Sequence, residues 1–172
     1  FDETIDRAVS KFVPAEDLVV PYTATDLDTC PNVTQVVKMA LNDVRKRQVT
    51  GFYRDIQVLP SQGEEATDIA QAMEKIEGVQ PNMIDYDCTL LECHVDLDLP
   101  GFEEMGEDGE PTGIKIPYVV TISEDNGQIL AIRRNYNEED ELKRKIQYFV
   151  HYKFLPGFGF YGLGLIHTIG GL

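Results

Sequence analysis

The sequence is short of cysteine and of positive charge, and both shortages exclude functions. Three cysteines in 172 residues cannot form a disulfide framework, and their odd number fits a compartment in which thiols stay free. Cys88 and Cys93 stand too far apart for a CxxC zinc pair. Lys and Arg number 15 against 30 Asp and Glu, a net charge of −15 and a pI near 4.4. A surface of that sign repels nucleic-acid phosphates and anionic lipid as a whole, leaving only local basic patches to attract them. There is no GxSxG elbow and no phosphate loop ending in Gly-Lys-Ser/Thr, so no motif points to an enzyme.

What is present is enough for one domain. With 42% apolar residues, a chain of this length buries about 70% of its unfolded surface on folding, without help from metal or disulfides. The last 19 residues, Phe154 to Leu172, carry no formal charge and contain six glycines. Those glycines and Pro156 break any membrane helix, and a charge-free end of this kind reads as a piece of a longer protein. The chain also begins at Phe1 without an initiator Met. The organisation expected is a single domain over 1–172.

Periodicity predicts an α+β fold, mostly antiparallel sheet with a few flanking helices. Helices are expected over Asp2–Phe12, over Ser61–Glu77, and from an N-cap at Asn42 to a stop at Gly51. A further helix is expected to open over Gly162–Ile169. Strands are expected over Asp17–Tyr22, near a sheet edge because Pro21 cannot donate, and over Val33–Ala40, with a loop between them at 25–32. Asp85–Leu99 reads as a long strand whose alternation slips near Glu92, predicting a bulge there. Ile114–Ser123 and Gln128–Asn135 read as a hairpin turned at Asn126-Gly127. Lys143–Phe154 reads as another strand with Ile146, Tyr148, Val150 and Tyr152 on one face.

Three constellations carry possible chemistry. Gly157, Gly159 and Gly162 spell GxGxxG, but only ten residues follow Gly162, too few for a dinucleotide-binding crossover, so a tight turn is the expectation. Cys93 and His94 point to opposite faces of a strand, which argues against a nucleophilic pair and for a buried thiol and a partnered imidazole. His151 is the other histidine considered. Asp96, Asp98, Gly101 and Glu107 fall at EF-hand positions, but Pro100 replaces the third ligand and the flanks are not helical, leaving an acidic loop.

Charge is segregated along the chain. Asp85–Glu110 holds ten acids and no Lys or Arg, Lys38–Arg54 holds five basic residues and Arg133–Lys153 six. Each run alone reads as a solvated face. Together they fit an acidic patch on one subunit meeting a basic patch on the next, as in a head-to-tail ring.

Several long strings together resemble the large portal proteins of short-tailed bacteriophages. They are VPAEDLVVPYTATDLDTCPNVTQ at Val13–Gln35, NDVRKRQVTGFY at Asn42–Tyr53, LLECHVDLDLPGF at Leu90–Phe102, GIKIPYVVTISEDNGQILAIRRNY at Gly113–Tyr136, and YFVHYKFLPGFGFYGLGLIHTIGGL at Tyr148–Leu172. The resemblance implies a non-enzymatic ring of about twelve subunits at one capsid vertex, built without a cofactor. DNA is packaged and ejected through its channel without sequence-specific binding, and terminase, scaffold or capsid, and tail adaptor proteins dock on it. The implied location is the virion, and the host cytoplasm during assembly. This segment resembles the wing region, with clip and crown outside it. Arg45, Lys46, Arg47, Arg133 and Arg134 are then the expected contacts to an acidic neighbour. The alternative is a Cys/His or metal-dependent hydrolase domain using Cys93, His94 or His151 with the acidic loop, and a third reading is a regulatory ligand-binding module with a deep apolar pocket.

Overall fold

The computed structural model describes residues 9–60, 88–106, 108–153, 155–157, 159–164 and 169–170. Within them the Asn126-Gly127 signal marks a hairpin between β4 (Ile116–Ser123) and β5 (Ile129–Arg134). The Ser123 amide donates to the Gln128 carbonyl at 2.9 Å, closing the loop. A two-residue type I′ turn needs positive φ at both central residues, whereas here Gly127 has φ +66° and Asn126 does not. Asn126 instead donates its side-chain amide to the Gln57 carbonyl at 3.0 Å, which anchors a longer loop against the chain after the helix.

β3 (Cys88–Leu97) occupies the centre of the sheet, antiparallel both to β4 and to β2 (Asn32–Met39). A two-residue β1 (Leu18–Val19) borders β2, so the order is β1-β2-β3-β4-β5 with β1 and β5 at the edges. The fold is α+β and mostly antiparallel sheet. One short 3₁₀ turn, Ala15–Asp17, precedes β1.

The bulge expected near Glu92 is absent. β3 pairs regularly on both sides through that residue, Gln35 and Thr121 standing opposite it. The break in alternation arises because the core changes sides. On one face Cys88 and Leu90 pack with Val44, Tyr53, Val58, Leu130 and Ala131; on the other Cys93, Val95 and Leu97 pack with Ile116, Tyr118, Val120 and Tyr136. We call these the helix face and the loop face. A register irregularity does occur at the edge: Thr121 pairs with Ala131 but Ile122 with Ile129. The residue left between, Leu130, is fully buried.

The helix after β2 is α1 (Leu41–Val49). Its N-cap is Ala40, not the expected Asn42, because β2 stays paired to Met39 and the chain turns at once: the amides of Asp43 and Val44 both donate to the Ala40 carbonyl. Asp43 lies in the first turn, where the helix dipole favours an acid, and Gly51 at φ +76° follows Thr50 to reverse the chain. Val44, 1% exposed, is the residue that seats α1 on the sheet.

The strand expected over Lys143–Phe154 does not form among the described residues 143–153. Lys143 takes φ +45° and turns the chain, then Lys145 donates to the carbonyls of Leu27 and Cys30 at 3.1 and 2.8 Å. The segment thus crosses the helix face as a strap beside His94 rather than adding to an edge, joined by one backbone bond from the Ile146 amide to the Asn135 carbonyl at 2.8 Å. Its alternation is real but reversed in use. Phe149 packs toward a third cluster of Ala24, Leu27, Cys30, Val33 and Phe160, while Tyr148, Val150 and Tyr152 are 62%, 96% and 85% exposed.

The helix expected over Ser61–Glu77 lies outside the described residues. So does the helix expected over Asp2–Phe12 except for 9–12, which are not helical. Of the one expected over Gly162–Ile169, residues 165–168 lie outside, Ile169 is helical, and Leu163 instead pairs with Leu155 in an isolated antiparallel bridge.

Candidate functional site

The five basic residues singled out above fall into two groups. Arg45 pairs with Asp55, Lys46 with Asp43 and Arg134 with Glu138, all at exposed positions. Water and salt screen pairs of this kind, and they contribute little. Arg47 and Arg133 are held differently, and the fold brings them together. Beyond the Gly51 reversal, the amides of Phe52 and Tyr53 donate back to the Arg47 carbonyl at 2.9 and 3.0 Å, fixing both rings beside the end of α1. The Arg47 guanidinium donates to the Tyr53 hydroxyl at 2.9 Å and lies 5.8 Å from the Phe52 centroid. Arg133, from β5, lies 4.7 Å from the same centroid and 3.5 Å from the Glu92 carboxylate. Two guanidinium groups therefore share one aromatic ring that is 43% exposed.

The charge there is not balanced. Among the described residues Arg47 has no salt bridge, Arg133 has only Glu92, and the buried Arg133 Nε has no hydrogen-bond partner. Burial pushes the Tyr53 hydroxyl pKa up, and the neighbouring Arg47 partly opposes it. Phe52 and Tyr53 were missed as site residues by sequence reasoning, although the signal was there: two aromatics directly after a basic helix end and its glycine stop.

The acidic segment folds on the loop face. The Tyr118 hydroxyl donates to the Phe102 carbonyl at 3.5 Å, Glu104 pairs with Lys143, and the Thr112 amide donates to the Glu104 carbonyl at 2.8 Å. This frame leaves Phe102 67% exposed and also exposes Met105, Asp98, Asp108 and Glu110. Glu103 accepts from the Gly101 amide at 2.7 Å, which holds its carboxyl below the usual range. Among the described residues no three His, Cys, Asp or Glu side chains group to hold a metal, and Glu107, the last of the expected calcium ligands, lies outside them.

Cys93 and His94 do fall on opposite faces. Cys93 joins the loop-face core, whereas His94 sits between β3 and the strap, 5.0 Å from Phe149 and 5.7 Å from Tyr148. His151 stacks on Phe160 at 4.2 Å in the third cluster. A small cavity lined by Cys30, His94, Asn135, Lys145 and Phe149 has room for about one water molecule, not for an organic ligand.

Gly157, Gly159 and Gly162 line the turn that brings Leu155 to Leu163. A Cβ on Gly162 would stand 2.7 Å from the Leu155 carbonyl oxygen, one on Gly157 3.3 Å from that of Tyr161, and Gly159 has φ +86°. Among the described residues no helix is long and apolar enough to cross a membrane. Comparison with known protein families, curated proteins and solved structures found no match.

Proposed function

We propose that this chain is a wing-like segment of a short-tailed bacteriophage portal protein. In that reading it is a non-enzymatic part of a ring at one capsid vertex, through which DNA is packaged and ejected. Terminase, scaffold or capsid, and tail adaptor proteins dock on the ring, and the chain works in the virion and, during assembly, in the host cytoplasm.

The resemblance of the strings between Val13 and Leu172 carries the proposal. The chain's physical character supports it. The strap presents Tyr148, Val150 and Tyr152 outward, an apolar row that a larger assembly would cover. An overall charge of −15 suits a conduit that DNA passes without adhering.

The test is electron microscopy of the full-length protein. Closed rings with a central channel are expected, and a protein that stays monomeric under assembly conditions refutes the proposal. A neighbouring gene for a terminase large subunit is the matching genomic expectation. The hydrolase alternative is tested by metal analysis of the purified protein, where stoichiometric zinc would favour it over the portal reading.

A further inference from the structure

We infer that the Arg47–Phe52–Arg133 patch binds the acidic, aromatic loop of a second copy of this chain, through Asp98, Phe102, Asp108 and Glu110. The two surfaces match in kind. The patch offers two guanidinium groups around a half-exposed ring, with Glu92 as its one paired carboxylate among the described residues. The loop offers the exposed ring of Phe102, and Asp98, Asp108 and Glu110 of the same segment are exposed as well. An aromatic ring beside arginine is the composition that carries binding energy at interfaces, and carboxylates are what a guanidinium pair recognises best. A second copy is the occupant chosen because the chain itself carries the matching surface, a segment with an exposed ring and exposed carboxylates to set against the two guanidinium groups.

The sheet makes the contact intermolecular. Arg133 stands opposite Val119, and Val119 opposite His94, which places Arg133 on the helix face. Tyr118, which holds the loop through Phe102, stands opposite Val95 on the loop face. One chain therefore presents the patch on one side of its sheet and the loop on the other. Such a pair of unlike surfaces joins copies head to tail, the heterologous arrangement that closes into rings or runs into filaments. The inference stands on these surfaces and not on the portal reading.

Two blocked variants test it: Arg47→Glu with Phe52→Ser, which removes the patch, and Asp98→Lys with Phe102→Ser and Asp108→Lys, which removes the loop. Sedimentation velocity is run on the chain up to about 0.5 mM, where even a weak contact registers. The parent should associate, and about tenfold more weakly when salt rises from about 50 to about 500 mM. Each blocked variant alone should stay monomeric with an unchanged far-ultraviolet spectrum. Mixed one to one, they retain one good patch and one good loop, so they should form a dimer and stop there. Lys38→Glu, on the loop face at the far end of β2, should associate like the parent. A parent that is monomeric throughout overturns the inference, as does a loop variant that associates like the parent or a mixture that does not pair. If the Arg47 variant loses its fold, the loop variant, changed only at exposed positions, still decides. Rings of the full-length protein that form normally with the loop variant overturn this contact and leave the portal proposal standing.

Discussion

His94 meets the ring of Phe149 edge-on, 5.0 Å between centroids and 72° between planes, so an imidazole joins the central strand to a segment that belongs to no sheet. Its pKa is held down to about 4 from the usual 6.5, by burial first and then by the positive charges of Arg133 and Lys145. The folded state resists a proton that the unfolded chain accepts. This contribution to stability is therefore complete above pH 6.5 and is lost as pH falls through about 4.

His94→Phe keeps the aromatic packing and removes the titration. Its melting temperature should fall less steeply than the parent's between pH 6.5 and about 4. Parallel profiles for the two proteins would rule out a neutral buried imidazole.

Lys145→Met should release the strap. It removes two charge-assisted hydrogen bonds to partly buried carbonyls, a loss of about 1–3 kcal/mol in urea denaturation. Hydrogen exchange at the Ile146 amide, bonded to Asn135, should quicken in step. Lys153→Met removes bonds that are exposed and longer, 3.2 and 3.3 Å to Thr25 and Gly159, and should cost less. Equal effects from the two would show that the first pair is not the anchor.

Thr121 and Leu90 are both fully buried, yet their substitutions should diverge. The Thr121 hydroxyl has no hydrogen-bond partner among the described residues, so Thr121→Val removes a desolvated polar atom at little change of shape. It should be neutral or stabilising. Leu90→Ala opens a cavity beneath α1 and should cost about 2–5 kcal/mol. A loss above about 1 kcal/mol for Thr121→Val in the same urea titration would reveal a partner for its hydroxyl.

Gly162→Ala should open the turn after the strap. The new methyl group would press on the Leu155 carbonyl oxygen at 2.7 Å, and that oxygen accepts from the Leu163 amide at 2.9 Å. A cost of about 1–3 kcal/mol is expected, the range for overpacking. Faster exchange at the Leu163 amide should accompany it, with Gly157→Ala, whose nearest atoms stand at 3.3 Å, milder. Unchanged exchange in both would mean that the turn yields freely.

Local signals were legible where one stretch of chain settles its own structure. The hairpin at Gly127 and the passage from β2 into a helix stopped at Gly51 are of this kind. The phase slip at Glu92 was visible but its cause was not. Whether a strand bulges or its core changes sides depends on what covers each face, here α1 on one side and the segment after Leu97 on the other. The strap was misread for a related reason: its alternation is that of a strand, but the carbonyls that capture Lys145 lie at Leu27 and Cys30, more than a hundred residues away. The basic residues of the candidate site could be picked out by charge. Which two converge could not, since Arg47 and Arg133 meet at the Phe52 ring once β5 is in place.

The sheet's two borders have a consequence for how copies of the chain can meet. β1 offers only Leu18 and Val19 before Pro21, and β5 is distorted by the irregularity at Ile122 and carries Arg133 and Arg134. Short, proline-flanked, kinked and charged margins are what discourage a foreign strand from adding on. Growth by backbone pairing, the route to irreversible fibres, is thereby obstructed at both ends. Association is left to side chains on the faces, where contacts can form, be corrected and come apart while an assembly finds its final geometry.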